Sequence, residues 1–244
     1  MANIIKSYRR VLAVGCSHGE LANRDIQKQV LAFSKKFKPQ IRFELGDIVD
    51  TACFRSGARG TPDEGRRPEP DEFSAIRWLQ EYEPTNLSWG NHDVRLLELQ
   101  NSPNAIVSYA SAKLWNSLSD QVRKLKCKTV PYDIETGWFD VGNVLWGHGF
   151  MYSVNALRDH AEMLGRSVVM AHLHHPHMVN PRNLRHSPSY CVGTLSNIPA
   201  MSYARRRRQT LTWAHGLVYG EVSSSTAHLW LVTAEKGGTF RFPL

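Results

Sequence analysis

The sequence predicts an α/β fold, and three observations lead to that prediction. In the first half of the chain, short β-branched strands alternate with helical segments, an order typical of parallel β-α-β units. In the second half, strand candidates follow one another closely and predict a second sheet. The 244 residues, of which 42% are hydrophobic, are expected to form one domain, residues 1–244.

Five elements are predicted in the first half, from apolar runs that end at glycine or tryptophan and from apolar residues at helical spacing. They are strands at 9–15, 40–45 and 87–89 and helices at 25–37 and 71–82. We expect Asp71 to cap the second helix, because an aspartate at that position accepts a hydrogen bond from backbone N–H groups. Within that helix, Trp78, Leu79 and Tyr82 have the spacing of a buried face.

The second half is dominated by short apolar runs, with one helix predicted at 154–164. The strand candidates are residues 143–146, 168–171, 189–192, 217–222, 228–232 and 240–242.

The chain is basic, with a formal net charge of +8, so we expect its surface to attract polyanions such as nucleic acid. Two segments concentrate this charge. Residues 51–70 contain four arginines among glycines and prolines and are predicted to form an exposed basic loop; residues 205–208 are four consecutive arginines. A basic loop is more often only solvated, but a polyanionic substrate would be favoured if both segments bordered the active site.

No apolar run is long enough to cross a bilayer, so we expect no membrane partner and a cytoplasmic location. The four cysteines are widely spaced, which favours reduced thiols over a disulfide scaffold. The sequence gives no indication of oligomeric state.

Polar residues able to bind metal follow five of the predicted apolar runs. They are CSH at 16–18, GDIVD at 46–50, GNHD at 90–93, GHG at 147–149 and AHLH at 171–174. Ligands of α/β proteins collect at the carboxyl ends of strands, and imidazole, carboxylate and amide oxygen are ligands for divalent metals. A single histidine at a strand end is more often structural, but five such segments in this order indicate a metal site.

In this order the motifs resemble the calcineurin-like metallophosphoesterase superfamily, of bacterial or phage type, over about residues 11–174. The family pattern is DxH, GDxxD, GNH(D/E), a later GH, and GHxH, so this chain departs from it at Cys16 and Ala171. The resemblance implies a four-layer αββα sandwich, in which helices flank two mixed β-sheets. It also implies two divalent metal ions, manganese in the first instance, and hydrolysis of phosphate esters by a metal-bound hydroxide.

Carried over residue by residue, the resemblance implies two sets of ligands that share a bridging Asp47. The first metal would take Cys16, His18, Asp47 and His174, and the second Asp47, Asn91, His148 and His172. His92 matches the non-ligand histidine of the family and would protonate the leaving group or stabilise the transition state.

Other polar residues near these motifs have supporting roles in this interpretation. Asp50 or Asp93 would orient a neighbouring histidine. Arg95 would contact a substrate phosphate, although an arginine on a helix surface is an equally good interpretation. His175 and His177 are left outside the metal set.

Cys16 stands where the family has aspartate, and three interpretations remain open. It ligates as a thiolate, which would favour zinc or iron; it is a buried thiol beside a weak or empty first site, where one metal suffices; or the chain is inactive.

The leading hypothesis is a phosphodiesterase or nuclease that acts on nucleic acid or a nucleotide. The alternative within the same chemistry is a phosphomonoesterase, acting on nucleotides or phosphoproteins. The alternative of another class is a metal-stabilised nucleic-acid-binding module that lost catalysis with the change at Cys16.

Overall fold

The computed structural model describes residues 7–182, 187–201 and 208–242, and these form two mixed β-sheets with helices outside them. The strands are β1 Arg9–Val14, β2 Ile41–Glu44, β3 Asn86–Ser88, β4 Lys128–Val130, β5 Trp138–Val141, β6 Val144–Gly147, β7 Val168–Met170, β8 His177–Val179, β9 Ser189–Cys191, β10 Gly216–Val222 and β11 Ala227–Thr233. The helices are α1 Arg24–Phe37, α2 Glu69–Tyr82, α3 Asn91–Glu98, α4 Ala105–Lys124 and α5 Ala156–Met163.

The first sheet has the strand order β11-β10-β1-β2-β3-β4, and the second has the order β5-β6-β7-β9-β8. Strands β1 to β4 run parallel to one another, while β10 and β11 are antiparallel additions. In the second sheet, β6, β7 and β9 are parallel, with β5 and β8 antiparallel at the edges. The parallel β-α-β units predicted for the first half are therefore present.

The main core lies between the two sheets. Alternate residues of β1 and β2, such as Val11 and Phe43, meet residues of β6 and β7, such as Trp146 and Val169. The rings of Phe43 and Trp146 are stacked with centroids 4.4 Å apart. Aromatic pairs of this kind add to the free energy gained by burying their area.

Helices cover the outer faces of both sheets. Helices α1 and α2 pack on the side of β1 that carries Leu12 and Val14, and α5 packs on β7 and β9 through Leu157 and Ala161. Each element thereby buries its one apolar face. The αββα sandwich expected from the sequence is confirmed.

Two predictions about local structure are wrong. Residues 240–242 form no strand; Phe240 and Phe242 instead pack against Phe33 of α1, so their apolar character serves side-chain packing. Asp71 does not cap α2, which begins at Glu69 after Pro68. Its buried carboxylate instead accepts hydrogen bonds from the backbone N–H groups of three other residues, Glu20 (3.0 Å), Asp50 (3.0 Å) and Thr51 (2.7 Å).

Helices α3 and α4 and strands β4, β5 and β8 are additions to the predicted elements. Helix α4, with 20 residues, is the longest helix of the described part of the chain. Within residues 7–182, 187–201 and 208–242, no helix is long and apolar enough to cross a membrane.

Candidate metal centre

The five motifs come together at one edge of the sandwich, because the strands that precede them are largely parallel and end on the same side. Candidate ligand atoms fall into three groups, in each of which all atoms lie within 4.8 Å of one another. The groups are Cys16, His18, Asp47 and His174; Asp47, His148 and His172; and His18, Asp50 and His92. Asp47 belongs to two of them, as the position of a bridging ligand requires.

Five of the seven candidate ligands have left-handed backbone conformations, which are uncommon for residues other than glycine. Their φ angles are 55° at Cys16, 54° at His18, 54° at Asp47, 65° at His172 and 56° at His174. Such conformations persist where the surrounding structure enforces them, and they concentrate at functional sites.

Glycines allow two of the motif loops to touch. A Cβ atom added to Gly90 would lie 2.2 Å from Oδ1 of Asp47, and one added to Gly46 would lie 2.6 Å from the backbone nitrogen of Gly90. Only a residue without a side chain permits this approach. The glycines of GDIVD and GNHD therefore bring Asp47 and Asn91 to the same place.

Hydrogen-bond acceptors converge on Nε2 of His148. Its Nδ1 lies 2.6 Å from the carbonyl oxygen of Leu45, so in the neutral ring Nδ1 carries the proton and Nε2 presents a lone pair. Around Nε2 lie Oδ1 of Asn91 at 3.1 Å, Nδ1 of His172 at 3.1 Å and Oδ2 of Asp47 at 3.3 Å. A proton on His172 could serve one of these contacts, whereas a cation would satisfy all of them. The side chains fit a divalent metal ion.

The second convergence lies around His18. Its Nδ1 is 3.1 Å from Oδ1 of Asp50, which in the neutral ring places the proton on Nδ1 and leaves Nε2 as an acceptor. That Nε2 faces Nε2 of His174 at 2.9 Å and Oδ2 of Asp47 at 3.9 Å. Among the described residues, the buried Nδ1 of His174 has no hydrogen-bond partner. These residues also fit a cation.

The electrostatics of the site suit metal ligands. Burial lowers the pKa of His172 to about 3 and lowers that of His174 well below its ordinary value, so both rings are neutral at pH 7. Burial alone would raise the pKa of Asp47, but its contacts with His148, His92 and His18 outweigh burial and hold that pKa well below its ordinary value. Against the effect of burial, Asp47 raises the pKa of His148, and Asp50 and Asp47 raise that of His18, in the protein without metal. Neutral imidazoles and an ionised carboxylate are the protonation states that bind metal.

Cys16 is fully buried, and its Sγ accepts the backbone N–H of His172 at 3.2 Å. Burial and the nearby charge of Asp47 raise the pKa of the thiol well above its ordinary value. The thiol is therefore protonated in the protein without metal, and a soft cation beside it would be required to generate the thiolate.

Asp93 and Asp50 hold the site in different ways. The carboxylate of Asp93 accepts the backbone N–H groups of Gly90 (2.8 Å), Asp47 (2.9 Å), Ile48 (2.9 Å) and Val49 (3.2 Å), which ties the GDIVD loop to the GNHD loop. Asp50 contacts a histidine directly, through the bond to His18. Of the two carboxylates, Asp50 is therefore the one placed to orient a histidine.

His92 lies beside the ligand groups without joining those that contain Asp47. Its backbone N–H donates to Oδ1 of Asp47 at 2.9 Å, and its Nδ1 donates to the carbonyl oxygen of Asp50 at 2.9 Å. Burial lowers the pKa of His92 to about 4, so the ring is neutral at pH 7. Nε2 is the ring atom left to meet a substrate.

Arg95 binds the loop beneath the site. Its Nη1 donates to the carbonyl oxygen of Asp50 and to the hydroxyl of Thr51, each at 3.1 Å. This contact positions the segment that follows Asp50, and a role in binding substrate phosphate stays a prediction.

The arginines of the predicted basic loop are largely paired with carboxylates. Arg55 pairs with Asp63, Arg66 with Glu20 at 2.7 Å and Arg67 with Glu69 at 3.4 Å. The loop also contains two turns of 3-10 helix, Ala52–Phe54 and Pro62–Gly65, and Ala52, Ala58 and Asp63 are buried, so it is more structured than predicted. Of the arginine run at 205–208, residues 205–207 lie outside the described residues.

Two aromatic residues were not predicted to lie beside the candidate metal ligands. The ring of Tyr132 lies 5.9 Å from that of His148, and the ring of Trp213 lies 4.3 Å from that of His174. Tyr132 follows the carboxyl end of β4, so the rule that found the other site residues would have found it, had that three-residue strand been recognised. For Trp213, in a segment without regular periodicity, the sequence holds no comparable signal.

No family model matches the chain, and no curated protein matches its sequence. Many solved structures are similar to it in fold, among them the following three. Vacuolar protein sorting 29 from Cryptosporidium parvum is 11% identical, over 96% of this chain and 95% of that chain, with a TM-score of 0.48. A predicted phosphoesterase from Streptococcus pneumoniae is 12% identical, over 93% and 90%, with a TM-score of 0.39. The NAD nucleotidase of Haemophilus influenzae is 10% identical, over 96% and 59%, with a TM-score of 0.44.

Proposed function

We propose that the chain is a metal-dependent phosphoesterase of the calcineurin-like kind. The observation that carries the proposal is the convergence of acceptor atoms around His148 and His18, with Asp47 between them. Two adjacent cation positions sharing a carboxylate are the arrangement of two-metal hydrolases. Divalent metals bound there would bind the phosphate oxygens of a substrate and would lower the pKa of a coordinated water.

The proposed ligands are divided between the two positions. One position would use His18, Asp47 and His174, with Cys16 as the fourth candidate; the other would use Asp47, Asn91, His148 and His172. Manganese is the expected metal if Cys16 does not ligate, and zinc or iron if it does.

The protein's own groups would move the proton. His92 is held by Asp47 and Asp50, and its Nε2 would protonate the leaving alkoxide or stabilise the transition state. Burial lowers the pKa of His92 to about 4 in the protein without metal, so the ring would have to take up a proton before it could donate one to the alkoxide.

Within this chemistry we favour a phosphodiester substrate, a nucleic acid or a nucleotide. The net charge of +8 supports that choice, because it attracts a polyanion over a distance. The arginines of residues 51–70 give it little support, since most of them pair with carboxylates.

A substrate panel tests the proposal. The full chain would be supplied in turn with manganese, zinc and iron, and given para-nitrophenyl phosphate, its bis-ester and single-stranded DNA. We expect the bis-ester and the DNA to be hydrolysed faster than the monoester. An Asp47→Asn variant purified in parallel should be inactive, which excludes a contaminating hydrolase.

The other outcomes would decide between the alternatives. A preference for the monoester would contradict the phosphodiesterase and indicate a phosphatase. Tight, salt-sensitive binding of DNA without turnover under any of the three metals would contradict the enzyme and indicate a binding module.

A further inference from the structure

A cleft lies at the opposite end of the first sheet from the candidate metal centre. Its volume is about 650 Å³, and Arg9, Ile41, Asn86 and Lys128, each the first residue of one of the parallel strands β1 to β4, line it. Candidate ligands follow the other ends of β1, β2 and β3. Because a six-residue strand such as β1 is about 20 Å long, at about 3.3 Å per residue, the two sites are separate.

The lining of this cleft is positively charged. Four cations line it, Arg9, Arg42, Lys126 and Lys128, against two carboxylates, Glu83 and Asp140. Asp140 is already bound by both terminal nitrogens of Arg166, at 2.6 and 2.8 Å, so its charge is compensated. The cleft therefore has an excess of positive charge.

These four cations differ from three of the four arginines of residues 51–70, which pair with carboxylates. Among the described residues, none of the four forms an ion pair. Like charges gathered around one concavity repel one another, and a bound anion would relieve that repulsion.

One of the four cations has a structural role, and the others do not share it. Arg42 donates from Nε to the carbonyl oxygen of Glu83 at 2.6 Å and from Nη1 to that of Pro39 at 3.4 Å, so it complements the carboxyl end of α2. The side chains of the other three cations donate no hydrogen bond within the described part of the chain, and all three are exposed. Arg42 offers a fixed positive charge, and the other three can move to meet a ligand.

The remaining lining indicates the class of ligand. Side-chain amides of Gln40 and Asn86 join the cations, whereas the hydroxyl of Thr85 is already bonded to the backbone of Arg42. No aromatic side chain of the described residues lines the cleft. Cations and amides bind phosphoryl oxygens, whereas a nucleobase is usually bound by stacking on an aromatic ring. The volume falls within the range of about 300–1,000 Å³ that is typical of small-molecule sites.

We propose that this basic cleft binds a small polyphosphate anion, either free or as the phosphate chain of a nucleotide, independently of the metal centre. The ligand would lie across the amino-terminal ends of β1 to β4, where its negative charges would be neutralised by Arg9, Arg42, Lys126 and Lys128.

Calorimetric titration of the full chain with inorganic tripolyphosphate tests this proposal. The cleft variant is Lys126→Gln with Lys128→Gln, and its charge-matched control is Lys113→Gln with Lys236→Gln, two exposed lysines outside the cleft. We expect the cleft variant to lose affinity by about tenfold or more, and its dependence on salt to be weaker. The control and Asp47→Asn should bind as the unaltered chain does, and the cleft variant should hydrolyse the bis-ester normally.

Four results would overturn the proposal. They are no binding by the unaltered chain, an equal loss in cleft and control variants, a loss only in Asp47→Asn, and binding of a DNA oligonucleotide without binding of tripolyphosphate. The second indicates diffuse charge, the third the metal centre, and the fourth a surface for a nucleic-acid strand. A parallel titration with adenosine triphosphate separates the two sources, since tighter binding than tripolyphosphate indicates contacts to the nucleoside.

Discussion

His92 can be separated from the metal ligands by substitution, because its contact with Asp47 uses the backbone. In His92→Ala the backbone N–H that donates to Asp47 remains, while the imidazole is lost. We expect turnover of the bis-ester to fall by about 10²- to 10⁴-fold, the usual contribution of a positioned acid–base group, with metal content near normal. Metal analysis and steady-state kinetics on the same preparation measure both.

His175→Ala is the matched control for that experiment. His175 stacks on His177 and belongs to none of the three ligand groups of the described residues. Its loss should leave turnover and metal content unchanged. If His92→Ala lost metal in proportion to turnover, the histidine would be a ligand and its proposed role would be wrong.

Cys16 determines which metals the site prefers if its sulfur ligates. Cys16→Asp replaces a soft ligand with a hard one, so we expect the ratio of manganese-supported to zinc-supported turnover to rise. Cys191→Ala, which alters another buried thiol, should leave the ratio unchanged. An unchanged ratio in Cys16→Asp would show that the sulfur is not a ligand.

At the scale of single residues, the sequence predicted which side chains come together, while their roles as ligands and catalyst stay predictions. Each motif follows an apolar strand, so position in the chain implied position in space for residues such as His18, Asn91 and His148. The partners of each side chain could not be predicted in the same way. The several backbone contacts of Asp71 and Asp93 depend on the path of loops, which has no periodic signal.

Among the elements, α5 supports the site through His160. This buried histidine accepts the N–H groups of Phe150 and Met151 on Nε2, at 2.9 and 3.3 Å, and donates from Nδ1 to the carbonyl oxygen of Ala156 at 2.6 Å. His160 therefore holds the loop that follows His148 in place, and it can do so only while its own ring is neutral.

That arrangement predicts a dependence of stability on pH. Burial lowers the pKa of His160 in the folded protein, so the folded state binds fewer protons than the unfolded state, whose histidine titrates near 6.5. Stability contributed by the neutral ring is present above about pH 6.5 and is lost as the pH falls below it. Urea unfolding at about pH 8 and about pH 5.5 should show a smaller difference in His160→Gln than in the unaltered chain.

The comparison needs a histidine outside the core. His228→Gln changes a partly exposed residue of β11 and should retain the full difference between the two pH values. An equal difference in His160→Gln would assign the pH dependence to other buried histidines.

Elements were predictable where their apolar pattern was regular. Helix α4 begins with a clear N-cap, since Asn104 accepts the N–H groups of Ile106 and Val107. Its exposed apolar residues, among them Ile106 and Tyr109, obscure the buried face, and the helix was missed. Strands of three residues, such as β4, are too short to show a period.

For the whole molecule, the contact between the two sheets should dominate stability. Phe43→Ala would remove the ring that stacks on Trp146 at the centre of the main core. We expect a loss of about 3–5 kcal/mol in the free energy of unfolding, measured by urea denaturation. Phe73→Ala, at a side chain that is 67% exposed, should change it by less than about 0.5 kcal/mol. A small effect at Phe43 would mean that the sheets can close over the cavity.

The two-sheet architecture was predictable because the two halves of the chain differ in the order of their elements. Helices separate the strands in the first half, whereas strands follow one another closely in the second half. The order of strands within the second sheet was not predictable, because its edge strand β8, which lies beside β9, has only three residues.

Folding stability and metal binding make opposite demands on five residues with a left-handed backbone. These residues are Cys16, His18, Asp47, His172 and His174. Each such residue costs of order 1–3 kcal/mol that glycine would not. Glycine would remove this strain at each of the five positions, and each such replacement would erase a candidate ligand. Heat-resistant variants of this protein that keep their activity should carry their improvements elsewhere.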